Sequence, residues 1–205
     1  MTELIAVVTI TILAVVSPGP DFAMVTRNSY AFGRRAGLIS AIGIACGVQL
    51  HVLYTVLGVA VAIEKSPLLF LVMKILGASY LIFLGIKSLT NKSKLKLEPT
   101  PSGAPTSFGA FRMGFLTNAL NPKTTLFVIA TYTQVVTVDS SVSSNFAYGL
   151  FISLSHWIWF SVVAYFFSAK ALRRIMLDRQ SVVDKSIGAI LIGLGFSLFF
   201  ANIAP

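Results

Sequence analysis

Two charged residues stand where an apolar chain cannot stay helical. Asp21 ends the run Ser17-Pro18-Gly19-Pro20-Asp21, and Lys123 ends Leu120-Asn121-Pro122-Lys123; each run interrupts a long apolar stretch. Proline removes a backbone donor and clashes with the turn before it, so a helix breaks at both places. A carboxylate at one break and an ammonium at the other could hold the two poles of a zwitterion, and a small α-amino acid fits that pattern. The candidate substrate-binding residues are Ser17, Pro18, Gly19, Pro20, Asp21, Asn118, Asn121, Pro122 and Lys123. Asp21 and the two histidines, His51 and His156, are the candidates for moving a proton, histidine being the side chain that titrates near neutrality.

Each of these residues also has a plainer reading. Asp21 and Lys123 could be charged groups snorkelling to a nearby interface. His51, His156, Gln49 and Asn118 could be hydrogen-bonded packing residues on apolar helices. What favours function is cost: a charge at the bilayer centre is expensive, about 2.5–3.5 kcal/mol on insertion scales, and is usually paired and put to use. Non-helical backbone at membrane depth is tolerated only where protein buries it or it lines a watery cavity.

The elements that must position these groups are membrane spans. The chain has 205 residues, 56% hydrophobic and 11% charged, whereas a soluble domain carries about 25% charged residues. The fold expected is an all-α integral membrane protein of about six transmembrane helices in one domain, residues 1–205. The spans are expected at about 4–26, 36–63, 68–89, 111–136, 146–168 and 186–203, the first and fourth containing the breaks. The first segment lacks a basic leader and carries Glu3, so it reads as a span rather than a cleavable signal. A linker of about 90–110 holds Lys92, Lys94, Lys96, Pro99, Pro101, Gly103 and Pro105, and a polar turn is expected at 137–144. Gly43 and Gly47 form a small-residue face, open either to internal packing or to a homodimer.

Charge sets orientation and excludes other partners. The net charge of +9 comes from bases gathered in the loops after the first, third and fifth spans. That pattern places those loops in the cytoplasm and both termini outside, and it argues against nucleic acid as a partner. Lipid is the surrounding partner. The single cysteine, Cys46, excludes an internal disulfide and a Cys-rich metal site. There is no phosphate-binding Gly-Lys-Ser/Thr loop, no dinucleotide fingerprint and no nucleophile with an evident base. No cofactor, metal site or enzymatic activity is expected, although an intramembrane enzyme using Asp21 with a histidine stays open.

The two halves resemble one another. Each begins with a broken span, places a lone histidine in the next, and repeats Lys-x-x-Gly-Ala in its third: Lys74 to Ala78 and Lys185 to Ala189. Repeat one is about 1–89 and repeat two about 111–205. Three spans per half is an odd number, so the second repeat must insert inverted. Paired interruptions in inverted repeats point to the midplane site of a secondary transporter. Ser17-Pro18 and Asn121-Pro122 each look like an N-cap followed by proline at the first helical position, which would aim a helix N-terminus at a carboxylate.

The motifs Ser17-Pro18-Gly19-Pro20-Asp21-Phe22, Gly43-Ile44-Ala45-Cys46-Gly47-Val48 and Thr117-Asn118-Ala119-Leu120-Asn121-Pro122-Lys123 resemble those of the lysine-exporter (LysE/RhtB) family, in its homoserine/threonine branch. The likeness extends over essentially the whole chain. It implies a multi-pass exporter of amino acids or close derivatives in the bacterial inner membrane, driven by protons. It leaves threonine, homoserine, homoserine lactone, leucine and basic amino acids open, with metal cations the less fitting branch.

Overall fold

The computed structural model describes residues 2–90, 104–135 and 141–200, and among them it is entirely helical. Eight helices follow one another: α1 (Thr2–Val16), α2 (Pro20–Phe32), α3 (Arg34–Lys65), α4 (Pro67–Thr90), α5 (Ser107–Ala119), α6 (Pro122–Val135), α7 (Val142–Ser168) and α8 (Lys170–Phe200). The order is a broken helix and two unbroken ones, twice over. Both interruptions fall where the prolines put them: α1 and α2 meet at an angle of 51°, and α5 gives way to α6 at Leu120 and Asn121. By length and apolarity α3, α4 and α7 can each cross a bilayer alone, and the bent α1–α2 pair can serve as a fourth crossing.

Some expected boundaries move. The helix after the first break runs on through Arg27 to Phe32, where Gly33, at a φ of 86°, turns the chain into α3. A left-handed φ is what glycine tolerates without a Cβ clash. The basic stretch after α7, expected as a loop, is the first part of α8. Charge marks where a span leaves lipid, but a helix pays no penalty for continuing into water. The linker's 91–103 and the turn's 136–140 lie outside the described residues.

Packing is inside-out, as lipid requires. Ile42, Leu53, Leu57, Leu76, Phe83, Ile86, Leu154 and Ile158 are exposed around the outside, while polar groups turn inward and bond one another. One apolar cluster joins α1, α3, α6 and α7 through Val7, Ile10, Val52, Phe127, Tyr132 and Ile152. A second joins α2, α3 and α7, and a third joins α4, α6 and α8.

Small residues let the backbones approach. A Cβ on Gly43 would lie 2.2 Å from the carbonyl oxygen of Phe111, and one on Gly114 would lie 2.1 Å from that of Ser40. The Gly43–Gly47 face is therefore occupied by α5 of the same chain, and it is not available to a second copy. Ser40 Oγ reinforces the contact, donating to the carbonyls of Ala36 and Ala110 at 2.9 and 3.1 Å while accepting from Asn28 Nδ2 at 3.0 Å. Gly43→Ala is expected to force α3 and α5 apart, at about 1–3 kcal/mol; thermal unfolding in detergent checks this. The matched Lys-x-x-Gly-Ala glycines meet different neighbours: Gly77 abuts Ala130 of α6, whereas Gly188 abuts Gly85 of α4.

Candidate functional site

The two breaks meet at Asp21. It sits in the first turn of α2 and is 5% exposed. Its Oδ2 accepts from Asn118 Nδ2 at 2.9 Å and from Asn121 Nδ2 at 3.0 Å, one residue before the second break and one within it. Thr124 Oγ1 approaches the same oxygen at 3.5 Å and itself accepts from Asn118 Nδ2 at 3.2 Å. Asp21 Oδ1 is buried with no hydrogen-bond partner among the described residues, and so is Asn118 Oδ1. Buried polar atoms are nearly always satisfied, so an oxygen left over at a helix break is a place for something to bind.

The two helix restarts differ in chemistry. Asn121 caps α6: its Oδ1 accepts from the backbone N–H of Lys123 at 3.0 Å, with Pro122 in the first helical position. At the first break the cap is Gly19, with no side-chain cap and Pro20 leading the helix. Ser17-Pro18 therefore does not cap α2 as its sequence resembles. Ser17 follows directly on the last residue of α1 and closes that helix end, its N–H reaching the carbonyl of Leu13 at 3.0 Å. Two free-standing residues then separate that helix end from Pro20.

Lys123 closes the gap between the breaks. Its ammonium donates to the backbone carbonyl of Ser17 and lies 3.4 Å from that of Pro18. A helix C-terminus ends in unpaired carbonyls and carries partial negative charge, so a cation is at home there. The Lys123 stem runs across Gly19, where a Cβ would come within 3.1 Å of Lys123 Cδ. Glycine is there for closeness, since its backbone at φ −172° is ordinary extended chain.

The histidines part company. His51 is fully buried and joins the network, its Nε2 at 2.8 Å from the carbonyl of Asn118. A carbonyl can only accept, so Nε2 carries a proton, while Nδ1 lies within hydrogen-bond reach of Tyr54 Oη and, at 3.3 Å, of Thr125 Oγ1. His51 thus holds the end of α5 that carries Asn118. His156 donates from Nδ1 to the carbonyl of Ile152 at 2.8 Å, one turn back on its own helix. The rest of its ring faces a cavity shared with Ser17, Gly19, Asp21, Lys123 and Thr124. Gln49 is a packing residue, donating to the carbonyl of Gly149 at 3.3 Å.

Two cavities flank the breaks. The inner one, between Asp21 and His156, measures only about 10 Å³, the room of one water. The outer one measures about 280 Å³ and lies between Ser17 to Pro20, Asn121 to Lys123, and the α4 residues Tyr80, Phe83, Lys87 and Ser88. Thr124, Thr125 and Tyr54 were legible in retrospect: two threonines follow Lys123 directly, and Tyr54 lies one helical turn beyond His51. The α4 residues carry no such signal, because only the tertiary fold brings them to the breaks.

The site thus holds a buried carboxylate and an ammonium at two helix breaks inside an apolar bundle. The comparisons with known proteins give the class of protein that carries it. Residues 12–202 match the family model for the LysE type translocator, and the chain belongs to that family. It is 31% identical to the uncharacterized membrane protein YrhP of Bacillus subtilis, over 95% of this chain and 97% of that protein. It is 30% identical to the threonine efflux protein of Escherichia coli K12, over 93% of this chain and 94% of that one. A third relative, the uncharacterized Escherichia coli membrane protein YahN, is 29% identical over 85% of this chain and 79% of its own length. No solved structure matches the chain. It is a multi-pass protein of the bacterial inner membrane.

Proposed function

We propose that the protein is a secondary exporter of small α-amino acids, of the threonine, homoserine and leucine type, and that export is driven by the proton gradient. One observation carries this reading: the buried carboxylate of Asp21 keeps Oδ1 unpartnered, beside a cavity that Lys123 also lines. In this reading Asp21 binds the substrate's ammonium group. Lys123 binds its carboxylate. Ala14, Phe22, Phe127 and Phe160 give the inner cavity an apolar lining for a small side chain, and since it now has room for about one water it must widen as the site opens.

Coupling follows from competition at one carboxylate. Asp21 holds either a substrate ammonium or a proton. A proton taken up from outside releases the substrate there, and its return inward resets the site. Rocking of the first three-span repeat (1–89) against the inverted second (111–205) would alternate access. His51 keeps Asn118 aimed at Asp21, and His156 stands at the inner cavity where a proton would pass.

The test is the amino-acid profile of the medium around cells loaded with threonine-, homoserine- or leucine-containing dipeptides, read by mass spectrometry. Export of one or more of these amino acids, dependent on the expressed protein, is the expected result. An unchanged profile despite verified insertion would overturn the amino-acid assignment and turn attention to lactones and metal cations.

A further inference from the structure

The outer cavity is not part of the carboxylate site, yet it adjoins it. Ser17, Gly19, Asn121 and Lys123 line both. At about 280 Å³ it approaches the roughly 300 Å³ at which small-molecule pockets begin, while the inner cavity admits about one water. What stands between the two is the Lys123 side chain, laid across Gly19 onto the carbonyls of Ser17 and Pro18.

The far wall of the outer cavity comes from the last turns of α4. It presents one cation, Lys87, two hydroxyl residues, Tyr80 and Ser88, and the apolar side chains of Phe83 and Leu84. Ser88 is 7% exposed, while Lys87 is exposed. The wall on the break side adds Lys123. The described lining contains no acidic residue, so the field inside favours an anion. By the distribution of bases, the Lys87 end of α4 faces the cytoplasm.

We propose that this cavity is a cytoplasmic entry subsite, in which Lys87 captures the carboxylate of an incoming amino acid before Lys123 yields and admits it to Asp21. The inference rests on the export reading above. It adds a second, outer binding position with its own residues, Tyr80, Lys87 and Ser88. A charge at such a semi-exposed mouth acts mainly on encounter and weak binding and little on the later steps.

Two measurements separate this inference from the reading it rests on. The first needs no substrate. In a Cys46→Ser background, Ser88→Cys is labelled in inside-out and right-side-out membrane vesicles with anionic and cationic methanethiosulfonates. Faster reaction from the cytoplasmic face, with the anionic reagent ahead and its lead lost on adding Lys87→Gln, is expected. Equal reaction from both faces, or a reagent preference indifferent to Lys87, overturns the subsite.

The second measurement is efflux from cells against cytoplasmic substrate concentration. Lys87→Gln is expected to raise the apparent KM about two- to fivefold, the range of an exposed charge pair, with the maximal rate kept, and Lys87→Arg to restore it. A Lys87→Gln variant that matches the parent in KM overturns the proposal and leaves the export reading standing. Labelling of Ser88→Cys as expected, with a parent protein that moves no amino acid, overturns the export reading while keeping an anion-selective cytoplasmic cavity.

Discussion

Export falls to background when Asp21 is replaced by Asn, while the amount of protein in the membrane stays unchanged. The amide is nearly the same shape as the carboxylate, and by turning its oxygen toward Asn118 Nδ2 and Asn121 Nδ2 it keeps both hydrogen bonds that join the breaks. What it loses is the negative charge and the capacity to take a proton. A charge-assisted hydrogen bond to the substrate ammonium contributes about 1.5–3 kcal/mol, which is roughly ten- to a hundredfold in binding, and coupling is lost in addition. Efflux rate per unit of membrane-inserted protein is the readout. Undiminished proton-coupled efflux from Asp21→Asn would remove Asp21 from the mechanism.

The second large effect belongs to Lys123. Lys123→Gln is expected to lower efflux at least tenfold, because the ammonium both holds the end of α1 through the Ser17 carbonyl and supplies the positive pole for the substrate. A substitution that never touches the charge should do much the same. Gly19→Val places carbon where Lys123 Cδ and Nζ now lie, at 3.1 and 3.3 Å from even a single added Cβ, and so displaces the ammonium from its carbonyls. Residues that act through one contact are non-additive, so the double variant is expected to be no worse than Lys123→Gln alone. Additive losses would mean that Gly19 serves some purpose other than making room for Lys123.

These expectations show how far the chain could be read without its fold. The breaks were legible because proline acts locally: wherever Ser17-Pro18-Gly19-Pro20 or Asn121-Pro122 sits, the helix ends. The meeting of Asp21 with Asn118 and Asn121 was half legible, as a match of polar residues at corresponding breaks. The geometry itself depends on α3 pressing α5 into place through Gly43 and Gly47. Capping was misread at the first break, since Ser17 closes the end of α1 and Gly19 is the cap residue before α2; a serine before proline can end one helix as readily as it starts another. Lys87 is a base near the end of α4. Nothing local distinguishes it from its neighbours until α4 is packed beside the breaks. His51 illustrates the opposite case: burial among apolar residues made it look like packing, and its packing partner turned out to be the site itself.

The most direct test of the account is solute flux through the purified protein in sealed vesicles under an imposed pH gradient. Vesicles are loaded with labelled threonine, homoserine or leucine, and efflux is followed with and without a protonophore. The amino acid is expected to leave chemically unchanged, faster when the gradient drives protons inward against the substrate, with the acceleration abolished by the protonophore. Chemical conversion of the solute, or no flux of any amino acid in either gradient direction, would contradict it.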